Sequence, residues 1–270
     1  MSQPRRTYRL PAWRLPPGVA PGTWEYTRRE SIADEYAEFL RHTPLIAIDL
    51  QWMLEALSPP RPERASRVID FGCGDGRALK ALWHSGYEVL GIDLSQPMLT
   101  RVGLDHESAS IESRLVRANL VQLEGLADAI ADHAICLFST IGMIQGRVHR
   151  RTFLRHALRL VRPGGSFVLH VHNRNGAWRD RPSAAAYLTS AWQAVCSQDC
   201  EMGDRTYRYR GLADMFLHTY SLRELRSDLA ASGWRNAIVS PLSPQGDDRL
   251  AHPRWLPSLR AGGFIAVAYR

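Results

Sequence analysis

The sequence predicts an α/β fold built on a parallel sheet covered by helices on both faces. Three observations carry this. Val68-Ile69-Asp70-Phe71 is an apolar run holding an acid, and it leads into three alternate glycines, Gly72, Gly74 and Gly76. A helical pattern follows, and then a second apolar run that ends in Gly91-Ile92-Asp93-Leu94-Ser95. Strand and helix patterns go on alternating as far as Asn173, an order that implies right-handed crossovers and a ligand outside the carboxyl ends of the strands. Glycines lack a Cβ, so the backbone turns tightly and approaches a ligand closely. Asp93 ends the second strand, where a carboxylate can accept both hydroxyls of a ribose.

The elements follow in order. Ile32, Tyr36, Phe39 and Leu40 recur at helical spacing, and Leu45–Leu57 reads as a second apolar helix. Ser58-Pro59-Pro60-Arg61-Pro62 ends it. These helices read equally as a cover for the sheet and as a lid, with Tyr26 and Tyr36 towards the site. Arg67–Phe71 is the first strand, Gly76–Ser85 a helix, Tyr87–Ile92 the second strand and Gln96–Glu107 a helix. Arg114–Leu120 and Asp132–Ser139 are the third and fourth strands, and Gly125–Ala131 between them a short helix. Arg147–Val161 is a longer helix, stopped before Pro163, where Gly164 and Gly165 supply a turn. Ser166–Asn173 is the fifth strand. A helical stretch over Ala184–Cys196 and strand-like Thr206–Arg210 and Met215–Tyr220 come next. Ser221 and Glu224 form a capping box, Gly233 ends that helix, and Ala237–Leu242 and Gly263–Tyr269 are the last two strands.

The glycine loop is not a dinucleotide fingerprint, because Arg77 stands where a small third residue is needed. A phosphate-cradling G-x-x-x-x-G-K-[ST] loop is absent too. Asp70 reads either as facing a cationic ligand group or as supporting the loop. With Ala118-Asn119-Leu120 ending the third strand, Ser139-Thr140-Ile141 after the fourth, and Leu158–Gly165 before the fifth, the chain resembles the class I S-adenosylmethionine-dependent methyltransferases over Val68–Asn173, in their ubiquinone/menaquinone-type, small-molecule branch. The resemblance implies a Rossmann-like, seven-stranded, mostly parallel sheet whose last two strands are antiparallel. It implies S-adenosylmethionine as cofactor, with S-adenosylhomocysteine as product. It places Asp70 and Phe71, Gly72, Cys73, Gly74 and Gly76 at the methionine tail, Asp93 at the ribose, Leu94 and Met98 beside the adenine, and Ala118, Asn119 and Leu120 at its amino edge. Phe138 and Ser139 line the way to the methyl group, and Tyr26 closes over it. Tyr36, Ile141, His170 and Trp178 are the substrate-side candidates.

The implied organisation is an extended arm over 1–22, a helical lid over 23–62, a core over 63–173, a substrate-cover insertion over 174–220 and the rest of the core over 221–270. The expected reaction is methyl transfer to a small, aromatic metabolite, to oxygen ahead of carbon, with an RNA or tRNA methyltransferase or a non-catalytic cofactor-binding module as alternatives. Only a neutral hydroxyl acceptor needs a base, and His172 and His218 are the candidates, the alternative being that these histidines are partly buried and satisfied by backbone or by each other. His170 and His172 share one face of the fifth strand.

Composition sets further bounds. The formal net charge is +7, but Lys80 is the only lysine and the arginines are scattered, which argues against a nucleic-acid partner. No run of about eighteen apolar residues exists, so no membrane span is expected, and 1–22 lacks the apolar core of a signal peptide. The four cysteines form neither a disulfide framework nor a paired metal motif, since Cys196-x-x-x-Cys200 has no second pair. His170-x-His172 has no carboxylate-rich partner motif, so no metal is expected. A cytoplasmic monomer or homodimer is the resulting expectation.

Overall fold

The computed structural model describes residues 11–41, 45–60, 65–104, 114–179, 192, 196 and 200–270. The helices are α1 (Pro21–Tyr26), α2 (Glu30–Arg41), α3 (Leu45–Ala56), α4 (Arg77–His84), α5 (Gln96–Leu104), α6 (Arg147–Leu160), α7 (Leu222–Ala231) and α8 (Pro257–Arg260). The strands are β1 (Arg67–Phe71), β2 (Glu88–Asp93), β3 (Leu115–Arg117), β4 (Ala131–Cys136), β5 (Val161–His172), β6 (Asp204–Tyr209), β7 (Leu212–His218), β8 (Arg235–Pro241) and β9 (Gly263–Tyr269).

Seven strands form one sheet in the order β3-β2-β1-β4-β5-β9-β8. The pairs from β3 to β5 are parallel, and β9 runs antiparallel to both β5 and β8. The expected sheet and its antiparallel end are therefore present. Val68–Phe71 are buried, because β1 is central and covered on both faces. Chain order reverses between β1 and β4, and the crevice beyond their carboxyl ends is where such sheets bind ligands.

One face of the sheet packs Phe71 edge-on to Phe153 at 5.2 Å and Phe167 stacked on Trp234 at 5.0 Å, beneath α6 and α7. The other face buries Ile48, Met53, Leu79, Leu82, Val102 and Ile265 beneath α3, α4 and α5. The segment expected as a lid thus divides. Helix α3 is a cover for the sheet, α2 packs Ile32 and Ala33 near Met98 and Met215, and α1 lies against β7. Gly22 is needed there, since a Cβ would stand 2.4 Å from the Asp214 carbonyl oxygen.

Several local expectations differ. The described part of the arm is fixed: Val19 bridges to Ile144, and Gln145 N–H donates to the Gly18 carbonyl at 2.8 Å. Turns replace the helix expected over Gly125–Ala131. Arg159 accounts for this by donating to the Leu123 and Leu126 carbonyls, which a helix would use itself, while Ala129 sits at φ 54°. Strand β5 begins at Val161, so Pro163-Gly164-Gly165 lies within the strand. Gly164 has φ 82°, and a Cβ on Gly165 would meet the Asp132 carbonyl at 2.2 Å. Ser221 Oγ caps α7 by accepting from Glu224 N–H at 3.1 Å, but the Glu224 carboxylate turns to Arg174 and His218, leaving the capping box half-formed. The two strand-like runs are strands β6 and β7, which pair antiparallel as a hairpin, with β7 starting at Leu212 rather than Met215. Most of the stretch 184–196 lies outside the described residues, as do the side chains of Tyr36 and Trp178.

Candidate active site

The glycine loop is shaped by its own hydrogen bonds. Gly72, Gly74 and Gly76 have φ of 77°, 55° and 83°, a region that other residues enter at a cost. Gly72 N–H donates to the Ile92 carbonyl at 2.7 Å, and a Cβ on Gly72 would stand 2.3 Å from Thr140 Cγ2. Gly74 N–H donates to Asp93 Oδ2 at 2.9 Å, and Ser95 N–H to Asp93 Oδ1 at 2.8 Å. A carboxylate has about four acceptor sites, so two stay available for a ligand. Asp93 ends β2 facing the loop that ends β1, and it fixes the loop and the cavity edge together.

A cavity of about 240 Å³ opens at this point. Its floor carries Asp70, Asp75 and Asp93 with Arg77, three acids to one base among the lining residues. Burial pushes the Asp70 carboxyl up to about 7, with Asp93 and Asp75 adding to the rise and Arg77 opposing it. Burial also raises Asp75 and Asp93. Such a floor suits a cation and repels a pyrophosphate. Cys73 lines it as well, its thiol held well above the ordinary range by burial.

Beyond the floor, the carboxyl ends of β4 and β5 bring up Phe138, Ser139 and His172. Phe138 and Ser139 are consecutive non-glycine residues in the left-handed region, at φ 52° and 57°. Ser139 Oγ accepts from the His172 N–H at 3.2 Å. The His172 ring meets Phe138 edge-on at 6.4 Å and His170 at 5.3 Å, and its nitrogens bond to no described residue. Burial, then the neighbouring His170, lower its pKa to about 3.

The roof comes from two distant stretches, Gly18–Thr27 and the β6–β7 hairpin. Tyr26 lies 6.2 Å from Tyr209, and Tyr207, Met215 and Leu217 complete the wall. Asn119 joins roof to sheet: Nδ2 donates to the Pro17 carbonyl at 2.9 Å, and Oδ1 accepts from Val121 N–H at 3.1 Å.

The structure thus brings Tyr26, Asp70, Gly72, Cys73, Gly74, Asp93, Leu94, Met98, Asn119, Leu120, Phe138, Ser139 and His172 to one cavity. Six others it places elsewhere, while the side chains of Tyr36 and Trp178 lie outside the described residues. Phe71 and Ile141 are core residues with no exposure. Gly76 is the N-cap of α4 against Val102, and Ala118 acts through its backbone, donating to the Asp93 carbonyl at 3.0 Å. His170 is buried against Asp49, and His218 between Asp204 and Glu224. On β7 the period of two sends Met215 and Leu217 to the cavity and His218 away from it. Glu201, His218 and Glu224 have ligand-like spacing, but Arg150 and Arg174 already neutralise these carboxylates, so a second cation is not needed. Thr140, Tyr207 and Tyr209 line the cavity as well, whereas Gly18, Val19 and Thr23 were not predicted, and no signal in the sequence points to them.

An acid-floored nucleoside cleft at the switch point of a 3-2-1-4-5 sheet with an antiparallel end defines a methyltransferase of class I, the class whose methyl donor is S-adenosylmethionine. Residues 36–238 match the methyltransferase domain family, and the chain belongs to it. It is 30% identical over 221 residues to the malonyl-[acyl-carrier protein] O-methyltransferase of Pseudescherichia vulneris, covering 82% of this chain and 73% of that one. It is 27% identical over 141 residues to the ubiquinone biosynthesis O-methyltransferase of Maricaulis maris, covering 50% of each. The chain spans about half the length of several curated relatives it matches. A solved S-adenosylmethionine-dependent methyltransferase of Methanosarcina mazei has the same fold, with a TM-score of 0.59 at 17% identity over 81% of this chain and 96% of that one. No helix among the described residues is long and apolar enough to cross a membrane.

Proposed function

We propose that the protein transfers the methyl group of S-adenosylmethionine to an oxygen of a small, flat, apolar acceptor. The carrying observation is the cavity wall beyond the acidic floor, which is made of Tyr26, Phe138, Tyr207, Tyr209, Met215 and Leu217. Relatives that methylate oxygen support the choice of atom. The acceptor occupies this wall, and among the described residues no run of basic side chains lines it for a nucleic acid.

The bound donor supplies a sulfonium methyl group already activated for displacement. The residues align the partners, and alignment alone is worth on the order of 7 kcal/mol in favourable cases. Asp93 accepts the ribose hydroxyls, and Asn119 contacts the adenine edge. Leu94 and Met98 flank the base. Asp70 faces the cationic end of the amino acid tail. His172 aims an acceptor hydroxyl by accepting its hydrogen bond. With a pKa of about 3 it does not keep that proton near neutrality, which passes to solvent. Its role is thereby narrowed from base to orienting group.

Methyl transfer to a panel of small hydroxylated aromatics, read as S-adenosylhomocysteine release, tests this. The rate should rise with pH towards the pKa of the acceptor, with no inflection near 6.5. Transfer to none of them, beside salt-dependent transfer to RNA, would overturn the reading.

Asp70 gives a separate expectation. Below pH about 7 it is protonated in the empty site and loses its attraction for a cation. The affinity for S-adenosylhomocysteine should therefore fall severalfold from pH 8 to pH 6, and binding near pH 7 should release protons. Stability has the opposite sign. Because the folded pKa lies above the unfolded 3.8, the contribution of Asp70 falls as pH rises from 3.8 through 7. Asp70→Asn should bind weakly at every pH yet unfold at a higher temperature than the parent at pH 8. Calorimetry and thermal melts at both pH values check this, and a parallel loss of affinity and stability in Asp70→Asn would contradict it.

A further inference from the structure

Helix α3 is an apolar helix that covers the sheet, and Asp49 is a fully buried acid within it. A buried carboxylate is costly unless it is paired and hydrogen-bonded. Two groups meet this one. Asp49 Oδ2 accepts from Phe138 N–H at 2.9 Å, and the two Asp49 oxygens lie 3.0 and 3.1 Å from His170 Nδ1. Each of these partners leads directly to the cavity. Phe138 is a bulky residue at φ 52°, followed by Ser139 at 57°. Two such residues in succession are strained, and strain of this kind persists only where the surroundings over-determine it. The turn is gripped from both ends: Asp49 holds the Phe138 N–H, and Ser139 Oγ takes the His172 N–H. His170, the second partner, is fully buried two residues before His172 on β5, and their rings are in edge contact at 5.3 Å.

We propose that Asp49, which does not line the cavity, is a positioning residue for the methyl acceptor. It holds the strained turn that presents Phe138 and, through His170, the strand that presents His172. The proposal rests on the assignment of the Phe138–His172 wall to the acceptor. The floor that takes the nucleoside hangs on Gly74, Asp93 and Ser95 and does not pass through Asp49. Asp49 therefore acts on the acceptor half alone, which a general loss of stability would not do.

The test uses Asp49→Asn, His170→Asn and His170→Leu. Asparagine at 49 keeps the volume but turns one acceptor into a donor facing a donor. Asparagine at 170 keeps a donor where Nδ1 stands, and leucine removes it. In Asp49→Asn the Phe138 amide should exchange with solvent at least tenfold faster, kcat/KM for the acceptor should fall at least tenfold, and the Kd for S-adenosylhomocysteine should stay within threefold. His170→Leu should follow Asp49→Asn, and His170→Asn should lie within threefold of the parent. If Asp49→Asn does not fold, the His170 pair decides by the same readings. Unchanged Phe138 exchange, equal behaviour of the two His170 variants, or an equal loss of nucleoside affinity would overturn the proposal. If the parent turns over none of the acceptors, the proposed function fails, while Phe138 exchange in the same variants still decides whether Asp49 holds the turn.

Discussion

Asp93→Ala is expected to weaken binding of S-adenosylhomocysteine by on the order of a hundredfold or more. Its carboxylate has two duties. It accepts the Gly74 and Ser95 N–H groups, and in the proposed function it offers its remaining lone pairs to the ribose. Hydrogen bonds to a charged group are worth about 1.5–3 kcal/mol each, and about 1.4 kcal/mol is tenfold in affinity. Losing two ligand bonds, and leaving two loop donors without their acceptor, gives an effect of that size. Asp93→Asn should fall between, because its amide nitrogen must face one of the two backbone donors. Titration calorimetry at fixed pH measures both. A Kd within threefold of the parent for Asp93→Ala would remove Asp93 from the ribose site.

The second large effect is on stability. Arg150 on α6 has no solvent exposure, yet its guanidinium lies 2.7 Å from Glu201 and 3.7 Å from Glu224, over the ring of Tyr220. Glu224 in turn meets His218 and Arg174. This network fastens the root of the β6–β7 hairpin to the core. Removing one partner of a buried ion pair costs about 3–5 kcal/mol, and the loss here lies near the lower end, because Glu224 keeps Arg174 and Glu201 is part-exposed. Arg150→Leu should therefore lower the melting temperature by on the order of 10 °C. A melt within 2 °C or so of the parent would show that the network relaxes into solvent on losing its centre.

The central sheet was readable because its signals are local. Val68–Phe71, the alternate glycines and Asp93 each state their structure within a few residues, and thirteen of the cavity residues followed from them and from the resemblance. What was not readable depends on partners far along the chain. Gly125–Ala131 has helical composition, but Arg159 claims its carbonyls from 33 and 36 residues away. The Ser221–Glu224 pattern is a capping box in isolation, and Arg174 draws the glutamate off. His170, His172 and His218 look alike in sequence, and only the packing of Asp49, Phe138 and Asp204 separates two structural histidines from one at the cavity. Asp49 itself reads as an interruption in an apolar helix.

The place of β9 has a consequence for how the chain is made. Among the elements it is the latest in sequence, yet it lies between β5 and β8. A nascent chain emerging from the ribosome can assemble the nucleoside half from β1 to β5 early, since that half needs nothing downstream for its pairing. Until β9 arrives, the flank of β5 is an open, apolar edge, a template for pairing with other chains. The chain is thus most exposed to aggregation in the interval between the emergence of β5 and that of β9, and cofactor present in that interval would protect only the half that is already formed.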